Sequence, residues 1–163
     1  MLIRSKIRTL DDLPIRKGLG CIGICTGCYD VLQSGHAVFF EQCKEYCDTL
    51  LVVVGRASVV SKQKPGRPIN SDINRMFLVA AIQSVDYVFL GDNQMLPGKI
   101  DCFSLCESFP PDVYILNDDD SGIKEKKAFC AKHGIAIKLV ARSVPDFLVA
   151  TSTTEIINKM RTT

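Results

Sequence analysis

The chain has 163 residues, 47% of them apolar, and a formal net charge of +2. That is enough for one well-filled core and too little for two, so residues 1–163 are read as a single domain. Scattered, nearly balanced charge argues against a nucleic-acid partner or an anionic membrane surface; no run approaches the roughly 20 apolar residues of a membrane span, no apolar export signal follows Met1, and a cytoplasmic protein is expected.

The first element is the apolar run Cys21 to Thr26, closed by Gly27, which reads as a strand buried on both faces. From Gly35 to Cys47, the apolar residues Val38, Phe39, Cys43 and Cys47 recur at helical spacing with polar residues between them. Leu50 to Val54 is a second buried strand. Arg56 to Asn70 reads as a long basic loop holding Lys62, Lys64 and Arg67. Ser71 or Asn70 caps a helix reaching about Gln83, and Val85 to Leu90 is the third strand. A short helix from Ile100 to Glu107 stops at Pro110-Pro111, before a fourth strand from Val113 to Leu116. A polar helix from Ile123 to His133 ends at Gly134, a natural left-handed cap, and Ile135 to Val140 is the fifth strand. Ser152 or Thr151 caps the last helix, about Thr153 to Met160. Continuous apolar strands alternating with helices specify an α/β domain: a Rossmann-like, doubly wound five-stranded parallel sheet with helices on both faces.

The 8 cysteines include Cys25 and Cys28 at the spacing of a redox or zinc half-site, and the pairs Cys43/Cys47 and Cys102/Cys106 on shared helix faces. No second ligand pair matches the first, so packing is the expected role and no metal site is assigned to the protein.

Ligands of open parallel sheets bind beyond the carboxyl ends of the strands. The segment following the first strand runs from Gly27 to His36 and enters a helix N-terminus, where free N–H groups and partial positive charge favour phosphate. Gly35 permits close approach of a phosphate to the backbone, and His36 can donate to it.

Thr26, Gly27, Tyr29, Asp30, Gly35 and His36 stand at the spacing of T-G-x-F/Y-D-x-x-H-x-G-H, and this segment resembles the nucleotidylyltransferase superfamily. The resemblance continues through Gly66-Arg67-Pro68-Ile69-Asn70, Arg75, Val85-Asp86 and Ser152-Thr153-Thr154. It is nearest the bacterial sugar-phosphate branch, which includes the adenylyltransferases that make ADP-heptose and the alcohol-phosphate cytidylyltransferases.

The resemblance implies attack by a substrate phosphate oxygen on the α-phosphorus of ATP or CTP, with pyrophosphate leaving and Mg²⁺ on the triphosphate. It implies that His36 faces the α-phosphate and that Ser152, Thr153 and Thr154 hold the outer phosphates. Arg75 and one of Lys62, Lys64 or Arg67 would neutralise phosphate charge, with Thr26, Gly27, Cys28, Tyr29 and Asp30 forming the nucleotide-binding loop. The acceptor is expected to be a sugar phosphate or phosphorylated polyol, and the protein a homodimer.

Gln33 replaces the motif's first histidine; its amide can donate one hydrogen bond to phosphate but cannot become cationic. Leu116-Asn117-Asp118-Asp119-Asp120 replaces a Lys-Gly-Gly-Asp type segment, leaving Asn117 and Asp118 as candidate contacts to sugar hydroxyls or the base, and Gly55-Arg56-Ala57 replaces an Asn-Ser-Asp-like segment. The alternatives are a nucleotide-binding module that has lost turnover with Gln33 and, most weakly, a redox or zinc protein using Cys25 and Cys28.

Overall fold

Unbroken apolar runs set the sheet, because a strand with no polar alternation must be covered on both sides. In the computed structural model, which describes residues 2–162, these runs are β1 (Ile22–Gly27), β2 (Thr49–Val54), β3 (Tyr87–Leu90), β4 (Val113–Asn117) and β5 (Ala136–Val140). The five pair in parallel in the order β3-β2-β1-β4-β5, with Ile24 opposite both Leu51 and Tyr114. The central β1 therefore directs its C-terminal loop into the middle of the edge where strand order reverses.

The helices are α1 (Ile3–Lys6), α2 (Ser34–Lys44), α3 (Ala57–Gln63), α4 (Asp72–Ala80), α5 (Phe103–Ser108), α6 (Ile123–His133) and α7 (Thr153–Arg161). One face of the sheet packs Phe39, Phe40 and Cys43 of α2 with Met76 and Val79 of α4 against Cys25, Val52 and Val54. The other packs Leu105 and Cys106 of α5 with Phe129 and Cys130 of α6 against Ile24, Val53 and Tyr114. The architecture expected from the sequence is the one observed.

Several boundaries move. The expected loop from Arg56 to Asn70 contains α3, whose Val59 and Val60 are buried. Helix α2 stops at Lys44 rather than Cys47, and Cys47 instead packs beside Gly23, where a Cβ would meet its Sγ at 2.6 Å. Helix α4 stops at Ala80, short of Gln83; Ser71 is its cap, accepting from the Asn74 N–H. β3 starts at Tyr87 because Asp86 acts as a clamp, its carboxylate accepting from the Leu50 N–H at 2.7 Å and from Lys44 Nζ at 2.8 Å. Gly134 has φ 67°, the left-handed conformation expected after α6.

Candidate active site

Beyond the carboxyl ends of β1, β2 and β4 lies a cleft of about 470 Å³. Of the residues singled out in the sequence, it is lined by Thr26, Gly27, Cys28, Tyr29, Asp30, Gln33, Gly35, His36, Lys64, Arg67, Asn117, Thr153 and Thr154. Arg75, Asp118 and Ser152 do not line it.

The start of α2 is a reciprocal cap. Gln33 Oε1 accepts from the Gly35 N–H, while His36 Nδ1 accepts from the Gln33 backbone N–H at 3.1 Å. With Nδ1 an acceptor, the neutral imidazole carries its proton on Nε2. Burial, with Arg142 adding to it and the bond from Gln33 opposing, pushes the His36 pKa down to about 4. At neutral pH, His36 is a neutral Nε2–H donor on the cleft wall. Gln33 also lines the cleft, and with its Oε1 bound to Gly35 its amide nitrogen makes no hydrogen bond among the described residues. A Cβ on Gly35 would stand 2.9 Å from Gln33 Oε1, so a larger residue there would displace the Gln33 side chain from its cap.

Asp30 organises the loop preceding α4. Its buried carboxylate accepts from the N–H groups of Ile69 (2.8 Å) and Asn70 (2.9 Å) and from Arg67 Nε (3.0 Å). Burial alone would raise its pKa, but the bonds from Asn70, Ile69 and Arg67 outweigh it and hold it below the ordinary value. Arg67 is thereby fixed at the cleft rim, where Lys64, the C-cap of α3, also stands. Lys62 is exposed and outside the cleft.

Arg75 is a correction to the sequence-based expectation. It is 0% exposed. Its guanidinium donates to the carbonyls of Cys28 (2.7 Å), Gly55 (2.7 Å) and Asn70 (3.2 Å) and pairs with Asp72. It ties together the loops after β1 and β2 and the start of α4, and is not presented to a phosphate in the cleft. The regular spacing of α4 shows which face is inward but not that an arginine sits on it. Asp72, three residues away on the same face, marks an ion-pair partner but not burial, which comes from the carbonyls of Cys28, Gly55 and Asn70.

Ser152 is the cap of α7: its hydroxyl accepts from the Glu155 N–H at 3.1 Å, and the Glu155 carboxylate accepts from the Ser152 N–H at 2.6 Å. Thr153 and Thr154 are the residues of that turn facing the cleft, and the Thr153 hydroxyl donates to the Val31 carbonyl at 3.3 Å. Asn117, the last residue of β4, lines the cleft, whereas Asp118 is exposed and does not. Asp119 and Asp120 also line it, each held by a cation: Arg142 on Asp119 at 3.0 Å and Lys126 on Asp120 at 2.7 Å. Lys99, Lys126 and Arg142 are cleft cations that no sequence motif marked.

All 8 cysteines are free thiols, and the Cys43, Cys47, Cys102, Cys106 and Cys130 side chains are core. Among the described residues, no group of three or more His, Cys, Asp or Glu is arranged to hold a metal ion. No helix among them is long and apolar enough to cross a membrane.

A cleft at the reversal point of a parallel sheet, lined by the starts of α2 and α7 and rimmed by Lys64 and Arg67, is the ligand site of a doubly wound α/β domain. Residues 24–159 match the Cytidylyltransferase-like family model, and the chain belongs to that family of nucleotidyltransferases. It is 35% identical over 118 residues to the FAD synthase of Aciduliprofundum boonei, covering 72% of this chain and 74% of that protein. The FAD synthase of Thermococcus kodakarensis is 37% identical over 115 residues, 70% of this chain and 74% of the relative. The bifunctional protein HldE of Campylobacter fetus is 30% identical over 158 residues; this covers 96% of the chain but only 31% of HldE. A lipopolysaccharide core biosynthesis protein from Thermoplasma volcanium superposes with a TM-score of 0.64 at 27% identity, covering 78% of this chain and 99% of that one.

Proposed function

We propose that the protein transfers an adenylyl group from ATP to the phosphate of a phosphorylated polyol or sugar, releasing pyrophosphate. The observation that carries the reading is the neutral His36, fixed by the cap of α2 with its Nε2–H on the cleft wall. The FAD synthase likeness favours an adenylyl donor, because FAD is an adenylyl group joined to a phosphorylated ribityl chain. The same chemistry accommodates the HldE likeness.

In this reading an oxygen of the acceptor phosphate attacks the α-phosphorus of ATP, the bond to the bridging oxygen breaks, and pyrophosphate leaves with the electron pair. The protein contributes position and charge stabilisation. His36 Nε2–H and the Gln33 amide donate to oxygens of the transferring group, and Thr153 and Thr154 at the start of α7 receive the outer phosphates. Lys64 and Arg67 offset negative charge from the α3 side. Asp119 and Asp120 are already paired with cations, so the donor set fits Mg²⁺ carried on triphosphate oxygens rather than in a protein cage. When bound, Mg²⁺ supplies further neutralisation of the leaving group.

The test is pyrophosphate release by the purified protein with Mg²⁺, each of ATP, CTP, GTP and UTP, and a panel of FMN, ribitol 5-phosphate and heptose 1-phosphate. Release that requires both ATP and one of these phosphates is expected. Release with CTP alone among the nucleotides would replace the donor assignment, and nucleotide binding with no release would leave a binding module instead.

A further inference from the structure

The reaction above makes no use of Asp101. This residue precedes α5 and is 4% exposed. It lines the cleft and also borders a second cavity of about 600 Å³ beside β3. Its carboxylate sits against the ends of two strands: a Cβ on Gly55, after β2, would meet Oδ2 at 3.2 Å, and one on Gly91, after β3, at 3.0 Å. Its own backbone N–H donates to it and Lys126 acts on it through charge, but among the described residues no side chain hydrogen-bonds to it. Buried polar groups are as a rule hydrogen-bonded, and a largely buried carboxylate short of donors is costly. Burial, with Asp92 adding to it and Lys126 opposing, raises its pKa to about 6. At slightly alkaline pH, the cleft therefore holds a largely ionised carboxylate with no side-chain donor.

A carboxylate repels phosphate and attracts an O–H or N–H donor. The phosphate-directed groups, at the starts of α2 and α7, follow β1 and β5. Asp101 lies on the opposite flank, against the tips of β2 and β3, where Lys64 and Met95 also line the cleft. That flank is the half left to the acceptor once the triphosphate occupies the other. We infer that Asp101 is a specificity-determining residue whose carboxylate accepts a hydrogen bond from an acceptor hydroxyl, so that the site takes polyhydroxylated phosphates and discriminates against hydroxyl-free ones. This inference rests on the nucleotidyl-transfer reading and concerns the acceptor half of the same site.

The probes are ribitol 5-phosphate and n-pentyl phosphate, matched in carbon number and differing in hydroxyls. Each is assayed with ATP and Mg²⁺ on the wild type, D101A and D101N. The wild type favours ribitol 5-phosphate. D101A raises its KM by about 10- to 100-fold, the range for losing a hydrogen bond to a charged group, while the KM for ATP and the handling of pentyl phosphate stay unchanged. D101N keeps the side chain's shape and one acceptor oxygen, so it gives an intermediate KM and serves as the variant if D101A does not fold. Should the wild type release no pyrophosphate with any acceptor, the nucleotidyl-transfer reading fails on its own. Calorimetric binding of the two phosphates to protein loaded with a non-hydrolysable ATP analogue then decides Asp101 by the same preference. Equal handling of the two phosphates by the wild type, including binding of neither, overturns the inference; so does a KM for ATP that rises as much as the KM for the acceptor.

Discussion

Replacing Arg75 by alanine separates two roles that make opposite predictions. If the guanidinium served phosphate, R75A would weaken nucleotide binding and leave stability almost intact. The structure instead gives it three carbonyl partners, on Cys28, Gly55 and Asn70, and a carboxylate, on Asp72, all with the side chain at 0% exposure. Truncation leaves those acceptors without their donor and opens a cavity of arginine size. Breaking a buried charge pair costs about 3–5 kcal/mol, a large part of the roughly 5–15 kcal/mol that holds a domain folded. At about 2–4 °C per kcal/mol for a chain of this length, the melting temperature should fall by roughly 6–20 °C. Urea unfolding followed by circular dichroism reads the loss as a lower midpoint with the slope retained. R75K, which keeps the charge but not the planar fork, should fall between wild type and R75A. A midpoint unchanged in R75A, together with a raised KM for ATP, would refute the structural role and return Arg75 to the phosphates.

The start of α2 yields two further predictions. His36 is held neutral with its pKa near 4, against an ordinary 6.5; between these values the unfolded chain binds a proton that the folded one refuses, so stability falls as pH drops from 6.5 toward 4 and is unaffected by this group above 6.5. H36Q should flatten the urea midpoint across that window and lower kcat by about a hundredfold or more, the cost of losing an oriented donor; the same pH slope in both proteins, or undiminished turnover, would count against the assignment. Q33H should raise the rate of pyrophosphate release by adding a group able to carry positive charge at the cap. An unchanged rate would mean that the Gln33 amide already fills the position.

Much of the fold was legible because burial on both faces writes itself as unbroken apolar runs: Leu50 to Val54 and Val113 to Leu116 fall within β2 and β4. The Gly27–His36 segment was placed by the rule that ligands bind beyond the carboxyl ends of parallel strands, and Gly27, Cys28, Tyr29, Asp30, Gln33, Gly35 and His36 line the cleft there. What escaped depended on tertiary partners. The basic residues around Arg56–Asn70 hid α3, whose buried residues are only the adjacent pair Val59-Val60. Arg75 was read for its residue type, whereas its hydrogen bonds make it a buried tie; Ser152 is the helix cap the sequence offered but does not line the cleft as a phosphate contact would. Asp101 belongs to no motif, and only the meeting of α5 with the glycines ending β2 and β3 sets it apart.

The two walls of the cleft are held by interactions of different strength. The wall from Cys28 to Asn70 is fastened by buried Arg75 and Asp30. Opposite, the contact of Arg142 with Asp119 is made by side chains 64% and 55% exposed, an ion pair worth about 0–1 kcal/mol. Adjustment to the bulk of an incoming nucleobase, and the parting of the walls that lets product out, should therefore be concentrated between β5 and α7. One jaw is an anvil; the other, at residues 141–154, is joined by a contact that costs little to break.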